Sequence, residues 1–499
     1  MPQLIDEVKD KKISSSLEEN VNYLNNLLGI GTTWDIILKP FKFGQINMAS
    51  YVTNGFFLTM NEVLILDSFH ARVEEFEKNH AGQTYTLEQM VDYLNANISF
   101  VQVQIIDQMS DAVRFILSGP LVTFIDGYDK VFYIDTRIYP MRSISEPLTE
   151  RVIRGNHDAF TETMLMNTTL IRRRLRDPRL RVELLQVGAR SQTDVSLMYL
   201  KDVTDEALVQ DMRERLKNLK SESMMMGEQQ VIDLIGRVKW NPYPIARYTE
   251  RPDVASAALL EGQVVIVVDT TPQVIIAPTT FFQHIQHPQE YHSYPLVGTY
   301  LRWVIAISIF ISIFMPSIFL LVNQHPNMIP RWAAFFQANR HDPLPLWGEL
   351  LIAEVALDIV RLAVINSPVS LASSVGIIAA LLFGQFSTQI HLLQPEVLVY
   401  MGLVMIAEYA TPSFELSSAN QLSRIWMMLW TAGLGWLGAI IGVGTWFIRL
   451  LTTRAFGKPY LWPLFPFRWK DGMRDVLFRW PSFQLGGVPE IFKRRRGRL

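Results

Sequence analysis

The chain has 499 residues, 49% of them hydrophobic, with 48 acidic side chains against 46 basic ones, a formal charge of −2 and no cysteine. That balance gives no whole-molecule case for a nucleic-acid partner, and the missing cysteines exclude disulfides, thiolate metal sites and thiol nucleophiles. The average hides two unlike halves, because most of the acidic residues precede residue 303 and the remainder of the chain is largely apolar.

The N-terminal twenty residues carry no apolar core of the signal-peptide kind, so the polar half is expected in the cytoplasm. Residues 1–15 read as flexible. Ser16 then opens a helix, with Glu18 and Glu19 in the turn the macrodipole favours and Val21, Leu24, Leu27 and Leu28 along one face. Strand-prone runs come next at 34–38 and 49–53, and helical patterns at about 60–77 and 87–95, the second capped by Thr84 or Thr86. Alternation returns at 101–106, 121–125 and 131–134, with Asp126-Gly127-Tyr128-Asp129 as the last turn. Residues 16–143 therefore read as one mixed α/β subdomain.

A second α/β subdomain is expected over 144–302. Near its start stand Arg172, Arg173, Arg174, Arg176, Arg179 and Arg181, a density suited to a subunit contact or a lipid headgroup. An internal network with Glu146, Glu150, Glu162 and Glu183 is the alternative. No aromatic residues interleave with the arginines, which removes nucleic acid as their partner. Further along are a strand at 195–200, a charged helix at 206–219 and a Met-rich link at 224–226. The β-branched runs 264–269 and 274–276 flank Thr270-Thr271-Pro272-Gln273 and read as a hairpin. His284, His287 and His292 lie close together, but Pro288 breaks the segment, which reads as a juxtamembrane linker and not as a metal set.

Residues 303–322 carry no charge, and some twenty apolar residues at about 1.5 Å each cover the roughly 30 Å core of a bilayer. Further apolar runs lie at 369–390, 397–410 and 425–448. Residues 346–366 are amphipathic, with Glu354, Asp358 and Arg361 in one stripe. The expected fold class is a soluble α/β N-terminal region of two subdomains, then an α-helical polytopic membrane domain over 303–448. That domain has about four spans plus an amphipathic helix that spans, re-enters or lies at the interface. Residues 449–499 read as a basic cytoplasmic tail, since Lys493 to Arg498 hold five positive charges and positive residues stay inside. With both termini cytoplasmic, the number of spans is even.

Gly433, Gly435 and Gly438 spell a dinucleotide fingerprint inside an apolar run, the wrong context for one. Gly438 and Gly442 instead form a G-x-x-x-G, the pattern of close helix packing. No catalytic constellation, cofactor or metal is expected. Ionisable residues at membrane depth mark function, so Glu354 and Asp358 become candidates for a cation pathway if several copies form a ring. An interfacial helix with an Asp358–Arg361 pair is the plainer alternative.

Several longer stretches share a family pattern: EPLTERVIRG at 146–155, FTET at 160–163, NTTLIRRRLRDPRL at 167–180 and RPDVASAALLEGQVVIVVDTTPQVIIAP at 251–278. In the apolar half, PLPLWGELLIAE at 343–354, Ser367-Pro368, FGQ at 383–385 and GKPYLWPLFP at 457–466 continue it. With these, residues 17–481 resemble the A-subunit family of bacterial spore germination receptors, the GerA family. Within it, 186–205 looks most like the stage V sporulation protein AF branch. Ala159 and Thr270 depart from the pattern, which often has Gly at both places. The resemblance implies a role in endospore germination at the spore inner membrane, as a channel subunit that oligomerises, with a pentamer as the implied assembly, and releases cations. It also implies membrane lipid and other germination membrane proteins as partners. A non-conducting scaffold and a component of a small-solute (dipicolinate) transporter are the alternatives.

Overall fold

Five strands form the first sheet: β1 (Ile36–Phe43), β2 (Ile46–Thr53), β3 (Val103–Ile106), β4 (Leu121–Ile125) and β5 (Val131–Ile134), in the order β1-β2-β4-β5-β3. Every pairing is antiparallel. The computed structural model describes residues 8, 11–43, 46–57, 59–81, 85–98, 103–137, 147, 150–219, 221–236, 240–326, 337–338, 344–481, 489 and 491–492. The basic run from Lys493 lies outside them.

Helices cover both faces of this sheet. Helices α1 (Leu17–Leu28) and α4 (Met109–Ile116) pack on one side, α2 (Thr59–Asn79) and α3 (Leu87–Asn97) on the other. Central β4 is accordingly buried along its whole length, and its LVTFI sequence has no polar–apolar alternation to show. The ends are capped as the sequence suggests. The Ser16 hydroxyl accepts from the Glu19 amide, Gly29 closes α1 at φ 73°, and Thr86 and Gln89 form a capping box.

The second sheet comprises β6 (Leu180–Val187), β7 (Thr193–Leu200), β8 (Arg247–Thr249), β9 (Val264–Val268) and β10 (Val274–Ala277), in the order β6-β7-β9-β10-β8. Helices α5 (Met164–Arg174), α6 (Glu206–Lys217), α7 (Gly227–Gly236) and α8 (Pro252–Leu260) accompany it. β9 and β10 pair as the expected hairpin, with Val267 opposite Val274, and Thr270 in the turn has φ 69°. The two sheets are tied directly. The Trp34 amide donates to the Val182 carbonyl at 3.0 Å, and buried Arg172 of α5 grips Asp35 at 2.7 and 3.2 Å. Apart from Arg247 at the start of β8, these strands and helices belong to a first compact body made of residues 1–238, 248–277 and 486–499.

The second body, residues 239–247 and 278–485, is helical. It holds α9 (Pro295–Gln324), α10 (Leu346–Asn366), α11 (Val369–Ala379), α12 (Pro395–Tyr409) and α13 (Phe414–Thr452). Among the described residues, three stretches are long and apolar enough to cross a membrane: α9, Leu371–Gln389 and α13. The apolar run at 397–410 falls in α12, whose 15 residues are fewer than a span ordinarily needs.

α13 is not one rod. Gly435 has φ 56° and ψ −128°, which no helix accommodates, and beyond it the chain doubles back. The Trp426 indole donates to the Thr445 hydroxyl at 3.0 Å. Nineteen residues of straight helix would hold these groups roughly 28 Å apart. The two halves touch where side chains are missing. A Cβ on Gly438 would meet the Trp430 carbonyl oxygen, and one on Gly442 would lie 3.2 Å from the Met427 Cα.

Candidate functional site

Three helices of the second body, α10, α12 and α13, bring their charges together around Arg424, and α9 adds Ser312. The α13 segment before Gly435 runs parallel to α9, since Ser312 meets Arg424 and Gln324 meets Thr431. α10 and α12 run the other way, from Glu349 and Gln394 at one end to Arg361 and Glu408 at the other. Helix spacing of three to four residues puts Glu354, Asp358 and Arg361 of α10 on the side facing α12 and α13.

Arg424 is 2% exposed and uses all its donors. Its Nε donates to Glu354 Oε2 at 3.0 Å, and Nη2 reaches both the second Glu354 oxygen and Glu408 Oε2, the latter at 3.0 Å. Nη1 donates to the Ser312 carbonyl and hydroxyl of α9 at 2.9 and 3.1 Å. Arg361 binds the other Glu408 oxygen and lies 3.8 Å from Asp358 Oδ1. Gln421 donates to Asp358 at 2.6 Å and to Glu354 at 3.2 Å. Three carboxylates thus meet two guanidiniums, an excess of one acid among apolar helices. Glu354 and Glu408 are buried, whereas the Asp358 side chain is 37% exposed.

Of the two residues singled out from sequence, Glu354 is therefore engaged by a cation and Asp358 is the accessible one. Sequence reasoning passes over Arg424, Gln421 and Ser312. The available signal was Glu408, a lone acid in an apolar run, which demands a counter-charge at the same depth.

The arginines of 172–181 have separate tasks. Arg172 binds Asp35, Arg174 binds Asp158, and Arg179 binds Asp202. Arg181 donates to backbone carbonyls, and Arg173 and Arg176 are exposed. His284 and His287 also act apart: the first faces the Ser413 hydroxyl at 3.2 Å, and the second caps the turn before Gln289. Among the described residues no cluster suited to a metal ion occurs.

The family model of the Bacillus/Clostridium GerA spore germination protein matches residues 22–491. The chain belongs to the GerA family. Stage V sporulation protein AF of Bacillus subtilis (strain 168) is 36% identical over 92% of both chains. Spore germination protein KA of the same organism is 31% identical over 94% of this chain and 85% of its own length. Among solved structures, the N-terminal domain of the A subunit of the Bacillus megaterium spore germinant receptor GerK3 is 27% identical, with a TM-score of 0.43, over 54% of this chain and 98% of that one. The protein is thus a membrane protein of the GerA spore germination and sporulation family.

Proposed function

We propose that this protein is an oligomeric channel subunit of the spore inner membrane that conducts cations during germination, alongside other germination membrane proteins. The observation carrying this reading is the ionic cluster around Arg424. Its excess acid, Asp358, stays accessible on a helix whose neighbouring face, with Ile352, Val355, Ile359 and Leu362, is exposed and apolar. Apolar faces of this kind suit lipid or further copies of the chain, and a ring of acids favours cations. Arg424 neutralises Glu354 in the arrangement described, so this is the closed state, and conduction needs the guanidinium to leave the acid. The helix directions favour six passes: α9, α10, the 371–389 segment, α12, whose 15 residues call for a locally thinned bilayer, and both halves of α13. Both termini then lie in the cytoplasm. No enzymatic step is assigned.

Potassium and sodium flux through liposomes holding the purified protein tests this, alone and with a candidate membrane partner. Wild type should conduct, Asp358→Asn should lower the flux, and Arg424→Gln should raise the resting leak. Flux indifferent to both changes would move the pathway elsewhere; no flux under any condition would leave the scaffold reading.

A further inference from the structure

The first body contains a cavity of about 480 Å³ that neither the fold nor the channel reading uses. It lies where the two sheets meet. Thr32, from the loop before β1, forms one wall, while Arg181 of β6, Tyr199 of β7, Lys201, Thr204 and the first turns of α6 with Glu206 and Arg213 form the rest.

The charges in this wall are unequal. Arg213 is already neutralised, its Nε and Nη2 donating to the two Glu183 oxygens at 2.7 and 2.6 Å. Arg181 is not. It is 4% exposed, and among the described residues its guanidinium donates to backbone carbonyls alone, those of Pro178 at 2.8 Å, Leu27 at 2.9 Å and Leu180 at 3.5 Å, while Asp35 and Asp177 act on it at longer range. Buried charges in proteins are ordinarily paired, because desolvating a lone one costs several kcal/mol. Burial accordingly draws Arg181 below the usual arginine range. Lys201 adds an exposed cation to the same wall. The Thr204 hydroxyl, in the wall as well, is buried with no hydrogen-bond partner among the described residues.

From Arg181, which no carboxylate among the described residues binds directly, the Lys201 cation and the unpartnered Thr204 hydroxyl around one cavity, we infer that the first body binds a small oxyanion, a molecule bearing a carboxylate or phosphate group. The cavity has room for more than the anionic group, and the Tyr199 ring and Val209 offer apolar surface to the remainder. Because Arg181 holds the Leu27 carbonyl of α1 while standing in β6, the ligand would bear on the junction of the two sheets. The inference rests on the first body alone and is independent of the channel reading.

Calorimetric titration of the full chain in detergent tests it, using inorganic phosphate, succinate and the aromatic dicarboxylate isophthalate at constant ionic strength. Sodium chloride and uncharged glycerol are the controls. Saturable binding of at least one oxyanion is expected, and the three probes separate phosphate from carboxylate and aliphatic from aromatic. Replacing Arg181 would also disturb the carbonyls it holds, so the deciding variants are Lys201→Glu and Thr204→Val. Reversing the exposed charge should weaken binding by about tenfold or more. Removing the hydroxyl at constant shape should weaken binding while leaving the ligand-free melting temperature unchanged or higher. Absence of saturable binding in the millimolar range, or binding that both variants retain in full, overturns the inference.

Discussion

Thr270 holds a left-handed backbone at φ 69°, and its amide donates to the Glu162 carbonyl at 2.7 Å. That conformation costs a residue with a Cβ about 1–2 kcal/mol, and glycine loses about 0.5–1 kcal/mol in extra unfolded-state entropy. Thr270→Gly should therefore stabilise the first body by up to about 1 kcal/mol, read as a rise in denaturant midpoint at unchanged slope. A drop would mean that the Thr side chain contributes more than the strain costs. The sequence flags this position as a departure from the expected Gly; it could not say which backbone the turn adopts, and φ 69° is the left-handed one that favours Gly.

His284 is wholly buried, and burial, then the nearby Arg247, pushes its pKa down to about 3. Its folded form is neutral, so its contribution is complete above about 6.5, the free histidine range, and is lost as pH falls from there toward 3. The slope is about 1.4 kcal/mol per pH unit for one such group. Chemical denaturation of wild type and His284→Asn between pH 7 and about 4 isolates this term from the carboxylates. The two curves should converge on acidification, and parallel curves would show that His284 is accessible to protons in the folded state. Arg172 pairs with Asp35 and also donates to the Asp177 and Leu180 carbonyls, each at 3.1 Å. Truncating one member of a buried pair costs about 3–5 kcal/mol, so Arg172→Ala should loosen the joint between the sheets, as proteolysis between residues 29 and 36 would report.

At the level of elements, most strands and helices are legible because their signals are local: caps at Ser16 and Thr86, β-branched runs in β9 and β10, and an uncharged stretch in α9. The reversal at Gly435 is not. Hydropathy has the same value whichever way a helix points, so residues 425–448 read as one span. The Gly438–Gly442 spacing announced a close approach without naming its partner, which is the preceding half of the same element. The site was half legible for a similar reason. A stripe on α10 follows from periodicity, but Arg424 lies 70 residues from Glu354, and only the packed helices connect them. The native chain lacks cysteine, so Trp426→Cys with Thr445→Cys can be probed without background. A short bis-maleimide should bridge that pair within one molecule and should leave a Trp426→Cys/Ile448→Cys pair less reactive. Failure to bridge the first pair would restore a single straight span.

For the whole molecule, the first body includes both the stretch that ends at residue 277 and the stretch that begins at 486, so the helices of the second body are inserted between them, with 239–247 as an earlier contribution to that body. A chain that leaves a body and returns to it crosses any intervening membrane an even number of times, whichever side that body occupies. Reporters placed before Ser16 and after Pro481 should thus score on the same side; opposite sides would break this parity. The return has an anchor. Phe492 is fully buried, and its backbone and Cβ lie against Gly262, beside Val203. Because ribosomes deliver a chain from its N-terminus, the piece that closes over Gly262 is translated only after α9 to α13 have been made, so the first body spends most of its synthesis with that surface uncovered.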